Sequence, residues 1–346
     1  MLAPEHCLNT IFGSKTRRIK RGEGIDMIPN PFGFSYTDDI DIEGMQHSLA
    51  RLRRPSLPVD VVLDTDTFNE VDDQFALAYL LQSSDMLHLK EIYAAPFDNH
   101  HSNGPADGME RSYEEIKRVL CMVSREELCG KVYRGATSFL TNEKTPVRSE
   151  AAERLCELAM HYTEQEPLYV IGIAAATNLA SAILLKPEIK DRIFVIWLGG
   201  LSLDWHDNFS FNAKQDVAAA RVLLGSGVPL VLLPGRGVVD HFTTTGPELK
   251  HWLSGKNAFC DYIVEKTREE AELVSGETCW SRPISDVTAV AWLLDTAFML
   301  DRLEPSPIME YDHHYACDKR RYFIRYVYSI NRDRLMKDLF DKLAAL

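Results

Sequence analysis

No stretch of the 346-residue chain approaches the roughly 20 consecutive apolar residues that a membrane helix needs. Its opening, MLAPEHCLNTIFGSKTRRIKRGEG, has no continuous apolar segment of the kind a secretory signal carries. Cysteine is sparse and scattered: seven residues (7, 121, 129, 156, 260, 279 and 317) with no Cys-x-x-Cys pair. That excludes a thiolate metal site, and an odd number without a framework fits reduced thiols and a cytoplasmic setting. Positive charge is also in deficit, with 38 Lys+Arg against 51 Asp+Glu and a formal net charge of −13. Nucleic-acid binding rests on clustered Lys and Arg, so no nucleic acid and no membrane surface is expected as partner. The single basic stretch, Lys15 to Arg21, reads as a solvated arm. With 19 Gly and 16 Pro, collagen-like and low-complexity chains are excluded too.

What remains is a globular chain, 45% hydrophobic, long enough for one large core or two ordinary domains. Residues 1–57 read as an N-terminal extension of unassigned role, marked by Pro29, Asn30, Pro31 and Gly33 and by an acidic run from Asp38 to Glu43. An EF-hand loop starting at Asp39 fails because its closing carboxylate would fall on Ala50. From Pro58 onward, short β-branched runs alternate with helical stretches: VDVVLD, LKEIYAAP, LYVIGIAAA, RIFVIWLGG and VPLVLLP are the strands. This alternation predicts an α/β domain over 58–346, with an open, mostly parallel, Rossmann-like sheet flanked by helices. Helices are expected around 247–274 and 286–295, a hairpin over YACDKRRYFIRYVYSI, and a last helix over RDRLMKDLFDKL. In such a sheet the ligand site lies beyond the carboxyl ends of the strands.

The residues at those ends are polar, and the first is acidic. Asp64-Thr-Asp66-Thr-Phe-Asn69-Glu70-Val-Asp72-Asp73 places five carboxylates in ten residues at a strand-to-helix junction. Asp72 and Asp73 alone could simply favour a helix N-terminus. Five together repel and raise one another's pKa unless something positive sits among them. Hard oxygen donors without His or Cys favour Ca²⁺ or Mg²⁺ over Zn²⁺. Asp64-x-Asp66-x with Thr67 also matches the DxDx[TV] signature of haloacid-dehalogenase phosphohydrolases, with Asp64 as nucleophile. That fold needs an acidic pair at a later strand end. Here the Asp pair follows Asp66 by only six and seven residues, and no later strand ends in Gly-Asp or Asp-Asp.

The acidic stretch resembles the D-x-D-P-G-x-D-D hallmark of the nucleoside hydrolases (inosine/uridine-preferring nucleoside N-ribohydrolases), and the resemblance continues to the C-terminus. Gly172 to Ala180 (GIAAATNLA) is similar to the family's G-P-L-T-N-x-A, and Leu198-Gly-Gly200 to its M-G-G. Phe211-Asn212 with Gln215-Asp216-x-Ala218-Ala219 is similar to E-F-N…D-x-x-A-A. Ser285-Asp286-x-x-Ala289-x-Ala291 is similar to H-D-x-x-A-x-A, and Asn331-Arg332-Asp333 fits the last element. The resemblance implies hydrolysis of the N-glycosidic bond of a ribonucleoside to free base and ribose, in purine or pyrimidine salvage. Its cofactor would be Ca²⁺ held by Asp66, Asp73, the backbone carbonyl of Thr177 and Asp286. It implies Asp66 as the base that activates water, Asp64 as a structural residue, and Asp72, Asn99 and Asn212 as ribose contacts. A homo-oligomer, dimer or tetramer, is expected by the same resemblance.

Three departures shape these expectations. The P-G-x spacer is replaced by five residues, Thr67 to Val71, so Asn69 or Glu70 is expected to face substrate. Ser285 stands where many members carry His or an aromatic residue, which leaves protonation of the departing base to Trp280, His206 or His241 by neighbourhood alone. Ser210 stands where a Glu precedes Phe-Asn, with Asn208 as the nearby substitute. His313-His314 reads as a polar loop and Tyr322 to Tyr328 as sheet packing. A non-catalytic or altered-substrate riboside-binding relative is the alternative to the enzyme, and the phosphohydrolase the distant one.

Overall fold

The computed structural model describes residues 42–275 and 279–346. The basic stretch Lys15–Arg21, Asp38 to Asp41 and most of the 1–57 extension therefore lie outside the described residues. A helix, α1 (Ile42–Arg51), leads into β1 (Val59–Thr65), α2 (Asp72–Leu81), β2 (Leu87–Ala94) and α3 (Pro105–Met122). The alternation continues through β3 (Val132–Arg134), α4 (Glu150–Ala159), β4 (Leu168–Gly172), α5 (Thr177–Leu185) and β5 (Ile193–Leu198). Two helices, α6 (Phe211–Gln215) and α7 (Val217–Gly225), precede β6 (Leu230–Leu233). Beyond it come β7 (Thr243–Thr245), α8 (Gly246–Trp252), α9 (Ala258–Ser275), β8 (Ser281–Pro283) and α10 (Val287–Leu294). The chain closes with β9 (Met299–Pro305), β10 (Ile308–Met309), β11 (Tyr315–Ala316), β12 (Phe323–Ile330) and α11 (Arg332–Ala344).

Eight strands form one sheet in the order β3-β2-β1-β4-β5-β6-β12-β9. All neighbours are parallel except β12 and β9, so the sheet is open and mostly parallel as the alternation predicts. The central strands β4, β5 and β6 are buried along their whole length, which explains why they read as unbroken apolar runs. The expected hairpin is a different pairing: Tyr315–Ala316 binds β10, while Phe323–Ile330 binds β9 antiparallel and β6 parallel. One tail strand thus joins two partners far apart in sequence, which local pattern does not reveal.

The strand order reverses between β1 and β4, the switch point where an open α/β sheet leaves a crevice. α2 starts there and is buried on every side, packing on α10. The end of the expected extension is fastened to the same body. Arg51 donates to the Lys190 carbonyl at 2.7 Å, and Arg54 to the Trp292 carbonyl at 2.5 Å and to Asp301 Oδ2 at 2.9 Å. Arg325 joins them, bonding both Asp301 and the Leu52 carbonyl.

Candidate active site

At the crevice lies a cavity of about 360 Å³. Asp66, Asn69, Glu70, Asp72 and Asp73 contribute from the β1–α2 loop, Ile173 from the end of β4, and Leu198 from β5. The loop is compact: the Asn69 N–H donates to the Asp66 carbonyl at 2.7 Å, and the Val71 N–H to Glu270 Oε2 of α9 at 3.1 Å. Asp72 and Asp73 fill the first turn of α2, where backbone N–H groups favour negative charge. Asp286 arrives from the far end of the chain as the residue preceding α10, and its N–H donates to Asp72 Oδ2 at 3.4 Å.

One carboxylate oxygen each from Asp72, Asp73 and Asp286 lies within 4.8 Å of the others, and all three residues are buried. Burial is the first influence on each of these groups and disfavours its charged form. Asp66, Asp73 and Asp286 are driven well above the ordinary carboxylate range by burial first, and then by neighbouring charge: Asp73 and Asp72 act on Asp66, Asp72 and Glu70 on Asp73, and Asp72, Asp73 and Asp66 on Asp286. Asp72 is pushed up to about 7, by burial and by Glu70, against the opposing pull of Arg282. Thr65 Oγ1 donates to Asp73 Oδ1 at 2.5 Å. Asp66 Oδ2 is buried with no hydrogen-bond partner. A buried oxygen left without a donor costs stability unless a donor or cation is supplied from outside. The arrangement fits a divalent cation held by oxygen, since the converging donors are all carboxylates.

Of the expected ligands, the structure brings Asp73 and Asp286 together, with Asp72 as the third converging residue; Asp66 lines the same cavity and carries the orphaned oxygen. Thr177 does not line the cavity. It is the first residue of α5, and its hydroxyl donates to Asp216 Oδ2 at 2.8 Å. Ile173, four residues earlier, lines the wall, and its carbonyl accepts from Asn212 Nδ2 at 3.0 Å. Asn212 lines the cavity and also donates to the Leu198 carbonyl at 2.9 Å, so both its N–H bonds clamp strand ends and its oxygen remains. Asn69 lines the cavity too, and Asn99 supports it from behind, donating to Asn69 Oδ1 at 2.6 Å.

Asn208 is fully buried away from the cavity. Its Oδ1 accepts from Leu201 N–H at 2.6 Å, holding the loop after β5, so it does not replace the missing glutamate. Ser210 itself lines the wall, as does Ser285. Asp64 is buried outside the cavity with Oδ1 accepting from Asn178 Nδ2 at 2.8 Å, and burial raises its pKa to about 7. That placement leaves it no access to a phosphoester. Trp280, His206 and His241 do not line the cavity either; the two histidine side chains are largely exposed. His313 instead backs the mouth, its ring 4.4 Å from that of Phe209.

Sequence reasoning missed the other wall. Phe209, Phe211 and Lys214 come from the segment after β5, and Arg236 and Asp240 from the turn after β6. It also missed Arg282 on β8, 2.8 Å from Glu70 Oε1 and 3.6 Å from Glu270 Oε2, a cation beside the acidic loop. The Leu-Gly-Gly motif has a local cause: Gly200 has φ +71°, and a Cβ there would lie 1.8 Å from the Tyr315 hydroxyl oxygen.

Comparison with known proteins agrees with this architecture. No curated protein matches the chain by sequence. Among solved structures, a plant nucleoside hydrolase superposes with TM-score 0.68 at 15% identity, covering 84% of this chain and 100% of that one. The purine-preferring ribonucleoside hydrolase from Gardnerella vaginalis gives 0.67 at 18% identity, with 83% and 98% covered. The inosine-uridine preferring nucleoside hydrolase from Bacillus anthracis gives 0.63 at 15%, with 83% and 100% covered. At these identities the likeness speaks to the fold. The sequence profile of the inosine-uridine preferring nucleoside hydrolases matches residues 61–334, well over half of the chain. The chain belongs to the inosine-uridine preferring nucleoside hydrolase family, and is a hydrolase of N-glycosidic bonds.

Proposed function

We propose that the cavity cleaves a ribonucleoside to free base and ribose with one Ca²⁺ bound at its acidic floor, and that Asp66 is the general base. The observation that carries this is the convergence of Asp72, Asp73 and Asp286 within 4.8 Å beside the unpartnered Asp66 Oδ2. Asp72, Asp73 and Asp286 would hold the ion, with Asp66 beside them. When bound, the cation supplies the positive charge that keeps these carboxylates ionised near neutrality and attracts the oxygens of a sugar diol.

The remaining steps belong to the chain's own groups. Asp66, ionised, takes a proton from the water that attacks C1′; positioned general bases of this kind contribute on the order of 10²–10⁴-fold. Asp72, Asn69 and the free oxygen of Asn212 accept hydrogen bonds from ribose hydroxyls. Buried acceptors facing a missing hydroxyl are left unpaired, so a ribose-specific site discriminates strongly against deoxyribosides. As the glycosidic bond breaks, its electron pair leaves with the base nitrogen, which takes a proton from solvent, while the sugar gains oxocarbenium character that the surrounding carboxylates stabilise. The aromatic rings of Phe209 and Phe211 give the base an apolar surface at the mouth. Among the described residues all the lining groups fall within 58–346, and Arg51 and Arg54 tie the preceding segment to Lys190, Trp292 and Asp301.

The test uses the purified full chain and a panel of ribonucleosides with Ca²⁺, reading reducing-sugar release, then repeats it with chelator and with Asp66→Asn. Release that needs Ca²⁺ and falls at least about 100-fold in the variant agrees with the proposed base. Release unaffected by chelator, or by the substitution, would overturn it.

A further inference from the structure

The cavity is divided by charge. Asp66, Glu70, Asp72 and Asp73 stand at the end of β1, with Asp286 converging on them. Lys214 stands after β5 and Arg236 after β6. Adjacent strands are about 4.8 Å apart, so β6 is three intervals, roughly 14 Å, from β1 along the sheet. That span is comparable to the length of a riboside with a substituent.

Both cations are exposed on the cavity wall, and among the described residues neither lies within ion-pair distance of a carboxylate. In a chain with 51 acidic against 38 basic residues, two unpaired cations on one cavity need an explanation. Their supports are local. The Lys214 ammonium lies 5.6 Å from the centroid of the Phe211 ring. The Arg236 carbonyl accepts from Ser202 N–H at 3.0 Å, and Gly235 N–H donates to the Gly200 carbonyl at 2.8 Å, which fixes the turn that carries the guanidinium. Asp240 is the one lining carboxylate from this turn, and its Oδ1 already accepts from Gly237 N–H at 3.0 Å. Ser210, one turn before Lys214, adds no charge where a glutamate would have neutralised the lysine.

The geometry points to a substrate that carries an anionic group: Lys214 and Arg236 bind a phosphate or carboxylate on the riboside while the acidic end holds its sugar. This rests on the riboside-hydrolase reading and names the class of substrate within it. Guanidinium and ammonium hydrogen bonds to such oxygens are charge-assisted and about twice as strong as neutral ones. A neutral nucleoside would leave both cations without a counter-charge. The group is either a 5′-phosphate on the ribose or a carboxylate on the base, and the two differ in a direct comparison.

The probes are inosine, inosine 5′-monophosphate and orotidine, each offered with Ca²⁺ to the full chain and to Lys214→Ala/Arg236→Ala. Two readouts are taken: base release as kcat/KM, and equilibrium binding by calorimetry. The expected result is an anionic probe favoured over inosine by about tenfold or more, from charge-assisted contacts, with that ratio falling toward one in the double variant and in high salt. Preference for the monophosphate places the anion on the ribose, and preference for orotidine places it on the base. If no probe releases base but an anionic one binds more tightly and loses that advantage in the variant, the hydrolase reading fails while this inference stands. Inosine turned over or bound as well as both anionic probes, or a ratio unchanged in the variant, overturns it.

Discussion

Two carboxylate sites in this protein are both shielded from solvent, and their pKa values shift in opposite directions. The side chain of Asp301, on β9, is only 5% exposed. Burial alone would raise its pKa, but Arg325, the Trp292 indole N–H at 2.9 Å and Arg54 at 2.9 Å more than offset that and hold it below the ordinary value. Arg54 also stacks over Trp292, 4.3 Å from the ring centroid. At Asp66, Asp72, Asp73 and Asp286, burial is joined by like charges and wins, although hydrogen bonds oppose it at Asp66, Asp72 and Asp73 and the charge of Arg282 opposes it at Asp72. Burial therefore does not decide the charge of an acid; the partner set does. One site brings its cations in the chain and is structural. The other leaves a place for a cation that the chain does not encode.

The sharpest way to break this comparison is to neutralise one acid in each. Asp66→Asn is expected to lower kcat by roughly 10²–10⁴-fold, with the urea midpoint unchanged or raised, because it removes a repelling charge. Asp301→Ala is expected to do the reverse: a loss of about 3 kcal/mol in urea unfolding, since two arginines lose their shared counter-charge, with kcat per folded molecule retained. If Asp66→Asn destabilises as much as Asp301→Ala, the acidic site is an ordinary structural cluster and the division fails.

The acidic half of this comparison was legible in sequence because its chemistry is written in ten consecutive residues, Asp64 to Asp73, at a strand end. Asp286 lies 213 positions beyond Asp73 and was reachable only through the family resemblance. The parallel sheet was legible for a similar reason, since fully buried strands read as apolar runs. Main-chain ligands leave no such mark. A Thr-Asn match pointed to the Thr177 carbonyl; in this segment the residue that lines the cavity is Ile173. Asn208 misled because a polar side chain in a polar loop is as often spent on its own loop. Lys214, Arg236 and Phe209 were invisible because only the fold brings the β5 and β6 loops to the same cavity as the β1 loop. The Arg54–Asp301–Arg325 group joins three distant segments, so it too needed the fold.

A smaller effect separates the two sites by pH. Asp72 titrates at about 7 in the folded, cation-free protein, against an ordinary value near 4. Between those values the folded state holds a proton that the unfolded chain has released. The contribution is thus present at low pH and is lost as pH rises toward 7, by about 1.4 kcal/mol per pH unit. Asp301 has the opposite sign: its depressed pKa stabilises above the ordinary value and is lost on acidification through the folded value. With chelator present, urea unfolding of the wild type between pH 5 and 7 should therefore lose more stability than Asp72→Asn does. Saturating Ca²⁺ should erase the difference, because a bound cation replaces the proton. Parallel pH profiles for the two proteins in chelator would sink the argument.

The smallest expected effect concerns Arg282, a cation beside the acidic site. Arg282 meets Glu70, a residue of the expanded spacer, and Glu270, which also accepts from Val71 N–H. The Glu70 side chain is half exposed, so its ion pair is screened and worth less than about 1 kcal/mol of stability. Its value is geometric: it ties the Asn69–Val71 segment to β8 and α9, so that Asn69 and Asp72 hold fixed positions on the cavity wall. Glu70→Gln should leave the urea midpoint in place and raise KM by about threefold, the equivalent of a weak surface pair. Arg282→Gln should raise KM further, because Asp72 and Glu270 then lose the opposing charge of Arg282 as well. An equal change in kcat and stability for both variants, with KM untouched, would mean that the expanded loop is held by its own backbone bonds. Arg282 would then be a second structural cation of the Arg54 kind.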